Sequence, residues 1–536
     1  MSSSFTTTMP AAAAATAASS SDPDPEGGCS AVTTLDIIII GAGLSGINAA
    51  RRVKTELPHR SFAVLEGRGR IGGTWDFWKY PGARTDSSMT AFGFSWYPWR
   101  RQANMAPAAD LRDYMEEAAA FAGVDSEIRF RHRVKAISWS SEEQMWTLQV
   151  DVSPSSSSSF SSSEVTRKIF KTWFLVGASG YYSYDKPLPA VIPGIDNFRG
   201  DVVHPQFWDD KTADHAGKRV VIIGSGATAI TLLPELAKTA AKVTMLQRSP
   251  SYVMPLPGKV PIFFWSRLLP VGWSDWLTWW FRVLFEVAFT SFLTGFPSLA
   301  NRLVRAEMRH YLPRGTDMME KHFTPRYDVL QQRLCFCPDA DFFKALRRPN
   351  TEVVTDVIET VTATGISLKS GGTLEADMII TATGLYMSLL DGVSITVDGA
   401  RVDGTLGQRY IWNGVMIDGV PNAGVLTGYI ATTWTPGADI RMKQLIKVIR
   451  HLEKTGATSV TPALEEGQRE RFPKTSAMPL TSTYAVAARE RIPMSAFVGP
   501  WRSGMHWVSD AWNYVFGTIT AGARYTYPDG GKRKPQ

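Results

Sequence analysis

Two glycine-rich turns carry the clearest chemistry in the sequence. The first, Gly41-Ala42-Gly43-Leu44-Ser45-Gly46, follows a short run of β-branched apolar residues and precedes a helical stretch. Gly41 permits a tight turn, Gly43 lets a pyrophosphate approach the backbone, and Gly46 lets helix and strand pack closely. Phosphates bound there face the free N–H groups and the positive end of the helix dipole. Glu66 ends the next predicted strand, where a carboxylate hydrogen-bonds ribose hydroxyls, so we expect the adenosine half of FAD here.

The second turn, Gly224-Ser225-Gly226-Ala227-Thr228-Ala229, also follows an apolar strand pattern. Gly224 and Gly226 repeat the first two glycines, and Ala229 is a small residue that the third position permits. The strand after this turn ends in Arg248 and not in a carboxylate. A guanidinium pairs with a 2′-phosphate, and such a charge-assisted contact contributes roughly 1.5–3 kcal/mol. We therefore predict that NADPH binds here in preference to NADH; the alternative is that Arg248 is a solvated strand end.

Composition excludes several other classes of protein. The chain has 536 residues, a net charge of +7 and three cysteines. The mild positive excess suits an anionic cofactor, and without zinc spacing or an RNA-binding signature we expect no metal site and no nucleic-acid partner. Three cysteines do not form a secreted disulfide framework. Cys335 and Cys337 are interpreted as buried free thiols, and because no cysteine pair lies near the predicted flavin, a disulfide reductase is strongly disfavoured.

The elements that position these turns predict the fold. Two strand–turn–helix units indicate an α/β protein with two doubly wound, Rossmann-like dinucleotide-binding domains, the second carrying an inserted helical segment. The first 34 residues lack Arg and Lys, which disfavours a signal or transit peptide, and we expect a cytoplasmic protein. The expected divisions are a disordered tail (1–34), the FAD-binding domain, first part (35–190), the NADPH-binding domain, first part (191–250), the helical insertion (251–320), the NADPH-binding domain, second part (321–375), and the FAD-binding domain, second part (376–536).

The inserted segment is rich in aromatic residues and lacks the alternation of a strand. Four aromatic residues lie close together in the sequence, Trp279, Trp280, Phe281 and Phe285, and Glu286 directly follows the last of them. A lid or core-facing helix is the favoured interpretation, and a membrane-surface helix is the alternative. The second interpretation also leaves open a membrane-associated structural protein. We do not expect membrane contact, and the oligomeric state is left open.

Three motifs resemble those of Baeyer–Villiger monooxygenases, which are class B flavoprotein monooxygenases. The stretch from Gly72 to Asp86 resembles the family's flavin-proximal motif, and Phe198-x-Gly200-x-x-x-His204-x-x-x-Trp208-Asp209 resembles its fingerprint. Ala382-Thr383-Gly384 is similar to the motif where the chain returns to FAD. The resemblance runs from about residue 35 to residue 501. It is greatest to the ethionamide-activating type, through stretches such as 247–250 and 332–335.

The resemblance implies a reaction and a pair of catalytic residues. In this family NADPH reduces FAD, O2 adds to give a flavin peroxide, and the peroxide inserts one oxygen atom into a ketone to form an ester or lactone. Arg333 matches the family's arginine beside the flavin, and Asp86 matches the aspartate that holds it. A guanidinium is always charged and stabilises anionic oxygen, while a carboxylate orients it and offsets the cost of its burial. The alternative is a structural ion pair.

The same resemblance implies further contacts. Trp75 is expected to cover a flavin face, Tyr80 to line the pocket, and Trp434 to lie in the substrate pocket. Gln332 departs from the Lys that many members carry, which leaves more of the phosphate recognition to Arg248. The region after Arg502 has no counterpart that we can align. The remaining positions expected to contact the cofactors are Gly73, Thr74, Asp86, Thr383 and Gly384.

Two rival functions stay open. The same peroxide could oxygenate sulfur or nitrogen, or epoxidise an alkene, although a cationic Arg333 favours attack on a ketone. The other rival is an uncoupled NADPH oxidase or a flavoprotein without catalytic activity. The intact glycine turns and the Arg333–Asp86 pair argue against it. In every case the substrate is a small organic molecule that the sequence does not identify.

Overall fold

The computed structural model describes residues 32–154, 165–504 and 506–528. The expected tail, apart from residues 32–34, and the serine run at 155–163 lie outside the described residues; the first strand begins at Thr33. Within the described residues the strands are β1 (Thr33–Ile40), β2 (Phe62–Leu65), β3 (Ile128–Arg129), β4 (His132–Ser140), β5 (Met145–Val152), β6 (Thr166–Gly177), β7 (Tyr182–Pro187), β8 (Asp201–Val203), β9 (Arg219–Ile223), β10 (Lys242–Gln247), β11 (Val253–Leu256), β12 (Cys335–Pro338), β13 (Thr351–Thr355), β14 (Ile358–Thr362), β15 (Gly365–Leu368), β16 (Thr373–Glu375), β17 (Met378–Thr381), β18 (Leu385–Met387), β19 (Ser394–Val397), β20 (Ala400–Arg401), β21 (Ile411–Trp412), β22 (Met416–Ile417), β23 (Ala423–Val425), β24 (Ser459–Pro462), β25 (Thr475–Ser476), β26 (Met494–Ser495) and β27 (Ala523–Thr526).

The helices cover the two main sheets and form the insertion. In the described parts of the chain they are α1 (Leu44–Glu56), α2 (Thr74–Phe77), α3 (Met89–Phe92), α4 (Ala108–Ala122), α5 (Ala227–Leu236), α6 (Val271–Gly295), α7 (Pro297–Tyr311), α8 (Met318–His322), α9 (Asp341–Ala345), α10 (Trp434–Thr455), α11 (Gln468–Arg471), α12 (Thr483–Ala487) and α13 (Trp507–Phe516).

The first main sheet has the order β20-β19-β4-β5-β6-β1-β2-β3, with β23 joining the end of β6. Strands β6, β1, β2 and β3 are parallel to one another. Ile37 and Ile39 point into the core that contains the α1 and α10 side chains, whereas Ile38 and Ile40 pack against Trp146 and its neighbours on the other face. Burial on both faces explains why β1 reads as a continuous apolar run.

The second main sheet has the order β13-β10-β9-β17-β8, with all its strands parallel. The division expected at residue 376 is wrong for β17, because Met378–Thr381 pairs with β9 and β8 of this sheet. Arg219 and Asp377 form an ion pair of 2.8 Å where β9 and β17 begin. A short apolar strand pattern specifies burial but not which sheet the strand joins.

Two segments connect the main sheets and pair with each other. Strand β7 leaves the first sheet after β6, and β18 follows β17 on the way back. They form an antiparallel two-stranded ribbon, with Leu385 opposite Pro187 and Met387 opposite Tyr182. The chain therefore crosses between the two main sheets as a paired ribbon.

The insertion is helical, as expected, with one exception. Helices α6 and α7 lie within residues 251–320 and α8 begins there, but Val253–Leu256 forms a strand that pairs in parallel with Cys335–Pro338. Its partner is distant in the sequence, so local alternation could not reveal it. Cys335 and Cys337 are buried and free, and burial raises the pKa of each thiol to about 12. No single helix of the described ranges is long and apolar enough to cross a membrane; α6 and α7 meet that criterion only as a pair bent by 112°.

Candidate active site

A cavity of about 1380 Å³ lies where the two main sheets meet. Both glycine turns line it, each at the carboxyl end of a parallel strand, β1 for the first and β9 for the second. Ligands of doubly wound proteins bind at this edge of the sheet. The volume exceeds the roughly 300–1,000 Å³ of common single-ligand sites, so the space suits more than one ligand.

The two turns are built in the same way. Gly41 has φ +104°, and a Cβ there would lie 2.8 Å from the carbonyl oxygen of Ala178, just beyond β6. Gly224 has φ +130°, and a Cβ there would collide with the carbonyl oxygen of Ala382, just beyond β17. Both positions combine a left-handed backbone with a close carbonyl, so only glycine fits. The predicted repeat of the dinucleotide turn is therefore present in the structure.

The next glycines leave room above two helix N-termini. Gly43 caps α1, and a Cβ there would meet only the Cα atom of Gly73, at 3.8 Å. Gly226 caps α5, and a Cβ there would meet open space. Because the first-turn N–H groups of a helix lack intrahelical partners, each opening suits a pyrophosphate. Gly46 and Ala229 are buried at the helix–strand contacts, as predicted for the third position.

Glu66 lies beside the first turn and holds it in place. Its two carboxylate oxygens accept hydrogen bonds from the N–H groups of Ala42, at 2.7 Å, and Arg68, at 2.8 Å. Burial raises the pKa of Glu66. Glu66 also lines the cavity, where the ribose contact was predicted. Its bonds to the backbone were missed, because a sequence does not show which N–H groups a side chain meets.

Arg333 and Asp86 come together in the cavity, although 247 residues separate them. Nη1 of Arg333 lies 3.3 Å from the Asp86 carboxylate, and Nη2 donates a hydrogen bond of 2.5 Å to the Tyr181 hydroxyl. The Nε atom is buried and has no hydrogen-bond partner within the part of the chain that the structure describes. Burial lowers the pKa of Arg333, but the phenolic groups around it and Asp86 raise that pKa further, so the guanidinium stays charged. The pair predicted from the sequence is therefore formed, with a third member.

That third member, Tyr181, was not predicted. Its ring stacks on Trp434, with centroids 5.0 Å apart and planes 24° apart. The indole Nε1 of Trp434 donates a 3.0 Å hydrogen bond to Ser45 of the first turn. Trp434 thus lines the cavity, as predicted, and also supports the residue that holds Arg333. The signal for Tyr181 was its place just after a buried parallel strand, where site residues concentrate.

The flavin-proximal motif lines the same cavity. Thr74 lies within hydrogen-bond distance of the Tyr184 hydroxyl, at 3.2 Å, and Trp75 packs edge-on against Phe92. Tyr80 is buried, which raises its pKa to about 12 and keeps it protonated near neutral pH. These side chains form an aromatic wall beside the first turn.

The residues after β17 also reach the cavity. Thr383 and Gly384 line it, and no described residue offers a hydrogen-bond partner to the buried Thr383 hydroxyl. An unpaired buried hydroxyl is costly unless a ligand or water meets it. This hydroxyl and the space above Gly43 and Gly226 fit the two predicted dinucleotides.

Arg248 lies at the end of β10 and lines the cavity beside the second turn. It is exposed, and across residues 32–154, 165–504 and 506–528 no carboxylate pairs with it. Its charge is therefore available to an anionic ligand, as the NADPH prediction requires.

The fingerprint residues His204 and Trp208 do not share a helix, because a short 3-10 turn, Pro205–Phe207, separates them. His204 lines the cavity, accepts a 3.2 Å hydrogen bond at Nδ1 from the Gln206 N–H, and has a pKa lowered by burial. Trp208 is buried in the second core, and its indole donates a 2.9 Å hydrogen bond to Asp210. Trp208 therefore packs in the second core, whereas His204 faces the cavity.

A contact between the insertion and the site was also missed. Glu286 of α6 accepts hydrogen bonds from the hydroxyl of Thr433, at 2.6 Å, and from its N–H, at 3.2 Å. Arg282 lies 3.4 Å from the same carboxylate. Burial raises the pKa of Glu286. Since Thr433 precedes Trp434, α6 is tied to the aromatic support of Arg333.

Two sheets that each carry a dinucleotide turn after a parallel strand, with a charged arginine in the cavity between them, are typical of an oxidoreductase with two dinucleotide sites. The chain matches the model of the flavin-binding monooxygenase-like family over residues 35–262. It is 38% identical over 477 residues to the FAD-containing monooxygenase EthA of Mycolicibacterium smegmatis, covering 89% of this chain and 93% of that one. It is 36% identical over 481 residues to the probable FAD-binding monooxygenase AlmA of Acinetobacter baylyi, covering 89% and 93%. The chain belongs to this family of FAD-containing monooxygenases.

Solved structures share the whole fold. A steroid monooxygenase bound to NADP superposes with a TM-score of 0.71 at 22% identity, covering 92% of this chain and 100% of that one. Cyclohexanone monooxygenase from Rhodococcus sp. Phi1, bound to NADP+, gives 0.71 at 19% identity, covering 93% and 100%. The predicted fold class is confirmed. So are the predicted enzyme class, an FAD- and NADPH-dependent monooxygenase, and its two cofactors.

Proposed function

We propose that this enzyme inserts one oxygen atom of O2 into a ketone and so forms an ester or lactone. The observation that carries the proposal is the charged guanidinium of Arg333, held in the cavity by Asp86 and Tyr181. Bound FAD, reduced by NADPH, supplies the reaction with O2. The chain's own residues supply the positive charge and its orientation.

Arg333 stabilises negative charge on oxygen. Attack on a ketone builds negative charge on the carbonyl oxygen, and a cation fixed beside it lowers the energy of that state. A guanidinium does not release its proton near neutral pH, so it favours anionic over protonated reacting oxygen. Asp86 and Tyr181 each hold one of its Nη atoms, while Nε has no hydrogen-bond partner among the described residues.

We assign the remaining predicted residues to the two cofactors. The first turn lies in the first main sheet and the second turn in the second, which supports FAD at one and NADPH at the other. FAD is assigned to Gly41, Gly43, Gly46, Glu66, Gly73, Thr74, Trp75, Tyr80, Asp86, Thr383 and Gly384. NADPH is assigned to Gly224, Gly226, Ala229 and Arg248.

The test is product analysis with isotopically labelled O2. The holoenzyme is supplied with NADPH and, separately, with linear ketones, cyclic ketones, a thioether and an alkene. We expect esters or lactones that carry one labelled oxygen atom. Oxygenation of the thioether or the alkene without any ester would overturn the proposal in favour of heteroatom or alkene oxygenation. Hydrogen peroxide equal to the NADPH consumed, with no organic product, would indicate an oxidase.

Variants of Arg333 separate its role from cofactor binding. Arg333→Ala should retain FAD and its reduction by NADPH but lose ester formation by at least about a hundredfold, the effect of removing one well-placed stabiliser of an oxyanion. Arg333→Lys keeps the charge without the planar fork and should recover part of the activity. Ester formation at the wild-type rate in Arg333→Ala would refute the assigned role.

A further inference from the structure

Helix α6 has its polarity inverted for a helix at a protein surface. Its three charged side chains, Asp275, Arg282 and Glu286, face the protein and are only 23%, 18% and 16% exposed. Trp273 and Trp276 face outward and are 65% and 56% exposed. A helix whose outer face meets water shows the opposite arrangement.

The outward residues of α6 form a continuous apolar stripe. Successive members are three, five, three and one positions apart, and at about 100° per residue they all lie within one half of the helix circumference. The stripe consists of Trp273, Trp276, Phe281, Leu284 and Phe285, each at least 43% exposed.

The neighbouring helix α13 is inverted in the same way. Its one charged residue, Asp510, points inward and accepts a 2.9 Å hydrogen bond from the Tyr429 hydroxyl. Its exposed side chains are all apolar: Val508, Trp512, Val515 and Phe516. The ring of Trp507 lies 4.8 Å from that of Trp280, which joins the two helices. We call the two stripes together the apolar face.

The segments next to α6 in the sequence carry cations and further apolar side chains, and Phe263 and Trp265 of the preceding segment contact Phe281 of α6. Residues 256–274 contain no acidic residue, and Ile262, Phe264 and Leu268 of this segment are more than 70% exposed. Exposed Lys259 and Arg267 lie in the same segment, and Arg302 follows on α7; in the described part of the chain none of the three has a carboxylate partner.

This combination points to lipid. Tryptophan concentrates at the boundary between acyl chains and headgroups, and lysine and arginine bind anionic headgroups. Since no single described helix has the length and apolar character of a membrane span, the apolar face fits a bilayer surface and not a crossing.

We propose that the apolar face of α6 and α13 docks this enzyme on the surface of an anionic lipid bilayer. The sequence had favoured a lid or core-facing helix and no membrane contact. Phe285, Glu286 and Phe289 of α6 line the cavity, so the docked helix also borders the site. Docking is independent of the reaction proposed above, and a binding experiment tests it alone.

The experiment is flotation of the full-length holoenzyme with phospholipid vesicles. Vesicles of phosphatidylcholine and phosphatidylglycerol in equal parts are compared with phosphatidylcholine alone, at low and high salt. The test variant combines Trp276→Ser, Leu284→Gln, Trp512→Ser and Phe516→Ser, none of which lines the cavity. The control is Phe121→Ser, an exposed aromatic residue of α4. Retention of FAD and an unchanged Tm show that each variant is folded.

We expect the wild type and the control to float with anionic vesicles and to be released by high salt. Each lost aromatic anchor should lower the partition coefficient by about tenfold, or about 1.4 kcal/mol. Equal flotation of the wild type and the test variant would overturn the proposal, as would equal affinity for neutral vesicles. A wild-type dimer that ignores vesicles and that the test variant dissociates would make the face a subunit interface and also overturn it.

A second measurement does not depend on the variants. Phosphatidylcholine brominated on its acyl chains, mixed with phosphatidylglycerol, should quench the tryptophan fluorescence of the wild type, because the exposed tryptophans of the apolar face enter the bilayer. Unchanged fluorescence despite flotation would show that another surface binds lipid, and would refute the assignment to this face.

Discussion

Replacing Arg248 with alanine should weaken NADPH binding far more than NADH binding. Arg248 lines the cavity beside the second turn and, among the described residues, has no carboxylate partner. Its removal therefore leaves no buried charge unpaired, and the loss reports the contact with the ligand alone. NADH differs from NADPH only in lacking the 2′-phosphate, so it serves as the internal reference.

The size of the effect follows from the exposure of this side chain. A charge-assisted hydrogen bond contributes roughly 1.5–3 kcal/mol, and solvent screening places an exposed arginine at the lower end. We expect a loss of about 1.4 kcal/mol, or about tenfold in the apparent Kd of NADPH. The apparent Kd of NADH should stay within about twofold, a difference of only a few tenths of a kcal/mol. The NADPH effect should shrink as salt is added, because salt screens exposed charges.

The assay is anaerobic rapid mixing of the oxidised holoenzyme with each nucleotide. The rate of flavin bleaching against nucleotide concentration gives the apparent Kd without any contribution from O2 or substrate. The matched control is Arg314→Ala, an exposed arginine that does not line the cavity. An equal loss for both nucleotides, or an equal effect in the control, would refute the phosphate assignment.

Two further predictions concern the second turn and the insertion. Gly224→Ala places a Cβ against the Ala382 carbonyl at φ +130°, which destabilises the second turn by about 1–3 kcal/mol. Flavin reduction should therefore need a higher NADPH concentration. The FAD content, measured by absorbance, should stay normal. Burial raises the pKa of Glu286 above its ordinary value of 4.5. Ionisation of Glu286 therefore lowers the free energy of unfolding as the pH rises through that raised pKa, and this loss disappears as the pH falls toward 4.5. Glu286→Gln lacks this penalty, so its Tm relative to wild type should rise with pH; a difference independent of pH would contradict this.

Features set by local chemistry could be predicted from the sequence. The turns containing Gly41 and Gly224 were correctly placed, because a left-handed glycine, an adjoining strand and a following helix are all local. The Arg333–Asp86 contact was predicted only through the resemblance, since nothing within either segment specifies a partner 247 residues away.

Features that depend on tertiary placement could not be predicted. Tyr181 holds Arg333 only because the end of β6 meets the segment before β12, and β17 joins the second sheet although its residues resemble any buried strand. The aromatic content of α6 was evident from the sequence. Its orientation was not, because hydropathy does not show which face the rest of the protein covers.

The ribbon of β7 and β18 has a consequence for how the enzyme can move. It begins just beyond the two carbonyls, of Ala178 and Ala382, against which the two dinucleotide turns are seated. If one main sheet rotates about this ribbon, each dinucleotide turn stays in contact with the carbonyl against which it packs. Asp86 lies in the sequence between β2 and β3 of the first main sheet, and Arg333 lies between β10 and β13 of the second. The same rotation therefore changes the length of their contact. We therefore expect the ribbon to serve as a hinge, about which the contact between Arg333 and Asp86 can change while each turn keeps its place on its own sheet.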